Sequence, residues 1–154
     1  MKRVKMTFIA IILIVAVVLL VYVRLAPNKT DHWHQDPETV KSTGRPNDFR
    51  LAGSASVTFD IKQSNLSQII MDYAAQQDRT ELLVNTDDGQ LMTFVQRSKL
   101  ISYPDYITFK VTPKGDGANV SVFSRSRFGY RDFGVNKLRV ETWIDGIRGL
   151  VAGS

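Results

Sequence analysis

The densest run of chemistry-bearing side chains is SRSRFGYRDFGVNKLRVETW, residues 124–143. It places Arg125, Arg127 and Arg131 around Gly129 and Gly134, with Tyr130, Asp132, Asn136 and Arg139 close by. Arg125 and Arg127 stand two apart at the end of an expected strand, so both side chains should point to one side of the sheet. The two glycines permit a tight reversal that brings the next helix N-terminus back toward that strand. Guanidinium groups beside exposed helix N–H groups can cradle a carboxylate or phosphate, partly by bidentate hydrogen bonds. A structural reading uses the same residues: Asp132 takes one arginine as an ion pair while Asn136 caps the backbone. The sequence supports both. Tyr103, Asp105 and Tyr106 of YPDY are secondary candidates for lining a pocket with the arginines, and Pro104 fixes the start of the next strand.

Other chemistries find less support. The chain has no cysteine, which removes disulfides, thiol catalysis and Cys-ligated zinc together. DHWHQD holds both histidines, His32 and His34, beside Asp36. Histidines at i and i+2 converge poorly unless the segment is extended, and further ligands would have to come from elsewhere, so neither a metal nor a cofactor is expected. Ser124 and Ser126 lack the Gly-x-Ser-x-Gly setting of a serine nucleophile, and the DFG here lacks the other kinase elements. Asp87 and Asp88 fall in a hairpin turn, where aspartate is favoured for its local backbone bonding. A carboxylate base such as Asp132 or Asp105 stays open.

The elements that must position these residues begin with MTFIAIILIVAVVLLVYV, residues 6–23, an uncharged stretch. Eighteen residues at about 1.5 Å each span roughly 27 Å, close to the thickness of a bilayer's hydrocarbon core. Lys2, Arg3 and Lys5 precede it, which keeps the N-terminus cytoplasmic and places the remainder outside. The apolar core exceeds a usual signal-peptide h-region and VYVRLAP offers no small-x-small cleavage site, so an uncleaved signal anchor is expected. The expected organisation is a basic cytoplasmic segment at 1–5, an anchor at 6–23, an extended juxtamembrane arm at 24–56 and a folded domain at 57–154. That predicts a single-pass protein of the inner membrane with a periplasmic C-terminal domain. Trp33, just beyond the anchor, would suit the membrane interface.

The formal net charge is +5, but Lys2, Arg3, Lys5 and Arg24 belong to the anchor, leaving 16 basic residues against 15 acidic ones. No basic stripe of the kind nucleic acid requires follows, so nucleic-acid binding is not expected.

Beyond the arm, VTFDI (57–61) alternates as a half-buried strand. Ser64 or Asn65 could cap a helix to about Gln77, with Leu66, Ile69, Ile70, Tyr73 and Ala74 as its apolar stripe. Thr80–Asn85 and Leu91–Arg97 flank TDDGQ as a hairpin, and Tyr106–Thr112 and Ala118–Arg125 flank the Lys114–Gly117 turn. A last helix covers roughly 135–148, with Asp132 or Asn136 as N-cap. The order β-α-β-β-β-β-α predicts an α+β domain: a small, mainly antiparallel sheet with two helices on one face.

SRSRFGYRDFGVNKLRVE resembles the signature of the DUF1499 family, a bacterial and plant group defined by sequence and without an assigned activity. WHQDP (33–37), GRPNDF (44–49) and YPDY (103–106) resemble its membrane-anchored proteobacterial branch. The resemblance spans nearly all of residues 33–143, with Lys137 a mild departure, and it implies a fold and a location rather than a reaction. Two functional classes follow. One is a non-enzymatic envelope module, anchored in the bilayer through residues 6–23 and binding an envelope protein, lipid head group or small anionic ligand. The other is a hydrolase or transferase that acts on an anionic substrate through Arg125, Arg127 and Asp132. The first is favoured because no cysteine is present and both histidines lie outside the expected domain.

Overall fold

A computed structural model of the chain describes residues 2–41 and 44–153. Helix α1 (Lys2–Leu25) carries the apolar run, and its stretch Lys5–Leu25 is long and apolar enough to cross a membrane. A single turn, α2 (Thr30–Trp33), follows it. Next come β1 (Asp48–Leu51), a 3-10 turn at Gly53–Ala55, β2 (Val57–Phe59) and α3 (Gln63–Ala75). Strands β3 (Thr80–Asn85), β4 (Leu91–Arg97), β5 (Pro104–Lys114) and β6 (Gly117–Ser126) lead to α4 (Val135–Ala152).

Every strand pairing is antiparallel, in the order β1-β6-β5-β4-β3. Strands β1 and β2 lie end to end along the same edge of β6: β1 pairs with Val122–Arg125 and β2 with Ala118–Val120. Side chains of one parity on β4, β5 and β6 face α3 and α4. Met92, Phe94, Ile107, Phe109, Val111, Val120 and Val122 pack there with Leu66, Ile70, Val140, Trp143 and Ile147 as the main core. The mainly antiparallel α+β architecture is therefore present, with both long domain helices meeting that core.

Three local expectations change. Residues 48–51 form an edge strand inside the segment read as an irregular arm, so the element order gains a β at its start. Helix α3 begins at Gln63, which puts Ser64 and Asn65 inside its first turn. Lys62 holds the N-cap position without a side-chain hydrogen bond. Helix α4 runs on to Ala152, because Ile147 remains buried and Val151 packs at the edge of the core.

The other face of the sheet is covered by the segment between α1 and β1. Trp33 stacks on Tyr106 with ring centroids 3.7 Å apart and planes within 6°. Val95 and Leu83 complete that small second cluster. The segment is fastened along its length: Asn28 accepts from the Tyr106 hydroxyl at 2.7 Å. His34 Nδ1 meets Thr93 Oγ1 at 2.9 Å, Asp36 pairs with Lys110 at 2.5 Å, and Glu38 accepts from Ser121. The placement of Trp33 at the membrane interface is thus corrected, since its ring is buried on the sheet against Tyr106 and Arg125.

Candidate functional site

Strand β6 sends Ser124 and Ser126 toward α4, and Arg125 and Arg127 toward the opposite face. The inference that the two arginines share a side agrees with this alternation. Arg125 is only 6 % exposed. Its Nη1 donates to Gln35 Oε1 at 2.7 Å, and its Nη2 to the carbonyls of His32 and Trp33 at 2.9 and 2.8 Å. The guanidinium also lies 4.8 Å from the Trp33 ring centroid and 5.0 Å from that of Phe123. Burial lowers its pKa to about 10, against the opposing pull of Asp48 and Tyr106, so it is still a cation at neutral pH. Arg125 is the rivet that holds the covering segment to the sheet.

Arg127 is less enclosed. Its Nη1 donates to Pro27 O at 3.0 Å, Ala26 O at 3.4 Å and the Tyr106 hydroxyl at 3.2 Å. Among the described residues, no hydrogen bond engages its Nε or Nη2. Burial raises the Tyr106 pKa, while the hydrogen bond and charge of Arg127 act the other way. The phenol therefore stays protonated and can donate to Asn28 while accepting from Arg127.

These two arginines border a groove of about 390 Å³ together with His32, Trp33, Gln35, Lys41, Arg45, Asn47 and Ser126. None of the described residues lining it is acidic, and four are cationic. A second hollow, on the α1 side of Arg127, is lined by Tyr22, Pro27, Lys29, His32 and Trp33. Arg127 stands between the two with donors to spare, in the position that an incoming carboxylate or phosphate oxygen requires.

Asp132 does not join these arginines. Its carboxylate accepts from the backbone N–H of Gly134 at 3.0 Å and of Asn136 at 2.8 Å, and from Asn136 Nδ2 at 2.7 Å. Burial would raise its pKa, but these hydrogen bonds outweigh that and lower it. It caps α4 from two residues before Gly134, which holds the N-cap position in the left-handed conformation. Asn136, the other cap candidate, is fully buried inside the first turn instead. It accepts from Ser124 at 2.6 Å and donates to Asn47 O at 2.9 Å. Asn47 in turn donates to Gly129 O at 2.9 Å, so GRPNDF and the arginine motif are one knot.

The ion pair expected of Asp132 is formed by Asp105 and Arg139, 2.6 Å apart. Arg139 also donates to Gln96 Oε1 and Asn136 Oδ1 at 2.7 Å each, and to Ser124 Oγ at 3.1 Å. Asp105 therefore belongs to the α4 face, on the far side of the sheet from the groove, whereas its neighbour Tyr106 is on the groove side. Tyr130 and Arg131 are exposed on the loop before α4, and Tyr103 is at the rim of the β4–β5 loop. The structure thus divides the candidates. Arg125 and Arg127 meet in the groove, Asp105, Asn136 and Arg139 meet under α4 near Asp132, and Tyr103, Tyr130 and Arg131 lie at the loops.

Of the histidine pair, His34 is half-buried on Thr93, and desolvation lowers its pKa. His32 packs edge-on against Trp33. Sequence reasoning overlooked Lys41, Arg45 and Asn47, which come from the segment set aside as a linker. The available signal was GRPNDF itself, a basic, turn-forming motif ahead of a strand.

Residues 32–147 match the family described as "Protein of unknown function (DUF1499)". Among solved structures, the X-ray crystal structure of protein CV1439 from Chromobacterium violaceum is similar at 10% sequence identity and a TM-score of 0.46. That match covers 70% of this chain and 96% of the other. No curated protein is significantly similar. With three quarters of its length inside the family's pattern, including the covering segment from residue 32 on, both arginines and the knot under α4, the chain belongs to the DUF1499 family.

Proposed function

We propose that this chain is a single-pass protein of the inner membrane whose α+β domain stands in the periplasm as a non-enzymatic binding module for an anionic group. The observation that carries the reading is the groove: four cations, no acidic residue among the described ones lining it, and Arg127 with donors to spare. The ligand is a small anion or the carboxylate or phosphate of a larger envelope partner. The hydrolytic reading drew its carboxylate from Asp132, and Asp132 instead caps α4.

Topology rests on the apolar α1 and on Lys2, Arg3 and Lys5 before it. Alkaline phosphatase fused after Ser154 is expected to be active, because it folds only outside the cytoplasm; an inactive fusion of normal abundance would reverse the orientation.

Anion binding is tested by melting the full-length protein in detergent with inorganic phosphate or citrate. A ligand at about a hundredfold excess over its Kd stabilises by about 2.7 kcal/mol, enough to raise Tm by several degrees. Wild type should show that rise, and Arg127→Ala, which also gives up its bonds to Ala26 O, Pro27 O and Tyr106, should still fold, melt somewhat lower without ligand and lose the rise. Anions that shift neither protein, or both equally, remove the groove from consideration.

A further inference from the structure

Strand β4 ends, β5 begins and β6 ends at one end of the sheet, and the loops there are unusually apolar for an exposed surface. Leu100, at the tip of the β4–β5 loop, is 85 % exposed, and Phe133, in the loop before α4, is 94 % exposed. Tyr130 and Leu138 lie open on the same end. Phe133 also adopts φ +54°, a left-handed conformation that bulky side chains rarely take. A strained backbone that holds a phenylalanine in solvent is the kind of outlier from which a role is inferred.

The position of α1 identifies what covers these side chains. Tyr22, in the last turns of the apolar helix, packs on Phe128 with ring centroids 6.3 Å apart, and Phe128 packs on Tyr103 at 5.8 Å. Val23 and Ala26 are buried against the domain, and Arg127 holds the carbonyls of Ala26 and Pro27. Both apolar loops are therefore tied to the end of α1 itself. One helical turn rises about 5.4 Å, and the headgroup layer on each side of a bilayer is roughly 5–7 Å deep. Loops in contact with Tyr22 thus lie at the depth of that layer if α1 crosses a membrane.

The charges fit as well. Lys29, Lys99 and Arg131 are exposed around these loops, and the β4–β5 loop SKLISY has no acidic residue. The one carboxylate in the loop before α4, Asp132, is occupied in capping the helix. Asp48 also borders Phe133 and Arg131, so the charge around Phe133 is mixed, while the cationic SKLISY loop has the composition of a surface that sits on phospholipid.

We propose that this end of the domain is seated on the bilayer that holds α1. Leu100 and Phe133 lie in the interfacial layer, and Lys29, Lys99 and Arg131 face lipid phosphates. The proposal rests on the membrane-anchor reading, and the two can be tested separately in one experiment. The chain's lack of cysteine allows a single fluorophore at Leu100→Cys, Phe133→Cys, Val18→Cys or Asp116→Cys. The last is in the β5–β6 turn, at the far end of the sheet.

Each full-length protein is reconstituted in vesicles of phosphatidylethanolamine and phosphatidylglycerol, with a fraction of lipid spin-labelled near the headgroup or deep in the acyl chain. The expected result is quenching of the Leu100 and Phe133 probes by the shallow label, of the Val18 probe by the deep label, and of the Asp116 probe by neither. If Val18 is quenched while Leu100 and Phe133 behave like Asp116, the domain stands clear of the membrane and the seat is refuted with the anchor intact. An unquenched Val18 probe refutes both. Shielding of Leu100 and Phe133 from aqueous iodide that grows with protein density, without lipid quenching, assigns the patch to a second copy of the chain and overturns the proposal.

Discussion

Arg139→Ala should lower folding stability by about 3–5 kcal/mol, the usual penalty when one partner of a buried ion pair is removed. The pair is well enclosed, with side-chain exposures of 10 % for Arg139 and 11 % for Asp105. Truncation strands the Asp105 carboxylate, leaves Gln96 Oε1 without its donor and takes one of two donors from Asn136 Oδ1, which keeps Ser124. Arg139→Lys should recover only part of the loss, because an ammonium cannot reproduce the planar fork that serves several acceptors at once. Removing both charges, as Asp105→Leu with Arg139→Met, should be milder than Arg139→Ala alone, since no unpaired ion remains. Denaturant unfolding of the four proteins measures this. If Arg139→Ala unfolds at the wild-type midpoint, the network does not hold α4 to the sheet.

Trp33→Ala is expected to be as damaging, at about 3–5 kcal/mol, the range for deleting a large buried aromatic side chain. The ring stacks on Tyr106 and lies against the Arg125 guanidinium. Its loss opens a cavity and exposes a buried cation whose partners are the carbonyls of the same segment. Trp33→Phe keeps part of the stack and should lie between the two. Limited proteolysis gives an independent readout: cleavage within residues 26–41 should be much faster in Trp33→Ala than in wild type. A tryptophan that merely rested at the lipid interface would behave differently, altering membrane association and leaving the melting curve and the cleavage pattern as they were. That outcome would restore the reading made from the sequence.

The contrast shows where the sequence is legible. Alternation and turn chemistry are local, so VTF at β2, the TDDGQ hairpin, and strands β3 to β6 all stand close to where periodicity puts them. The shared side of Arg125 and Arg127 followed from strand parity alone. Strand β1 escaped notice because DFRL alternates over only four residues, with Phe49 and Leu51 turned to the core, and sits between Pro46 and Gly53; its pairing with β6 is what makes it a strand. The partner of each arginine was equally hidden. Asp132 is nearest in sequence, yet its carboxylate is better placed for the N–H groups of α4, and the true pair joins Asp105 to Arg139 across 34 residues. Which side chains meet across the sheet depends on register, and register is not written in a single strand.

The segment covering the groove face also dictates when the protein can finish folding. Gln35 and Trp33 are 90 and 92 residues from the Arg125 that holds them, and Asn28 is 78 from Tyr106. Closing a loop of that size costs about 4 kcal/mol from the length-dependent term alone, and the return arrives only when β5 and β6 are in place. Synthesis at about 5–20 residues per second leaves the segment waiting roughly 5–18 s for its partners. The first part of the domain to emerge is thus the last to dock. For those seconds a tryptophan is left unsheltered beside an apolar helix, so chaperone demand and premature cleavage should concentrate there.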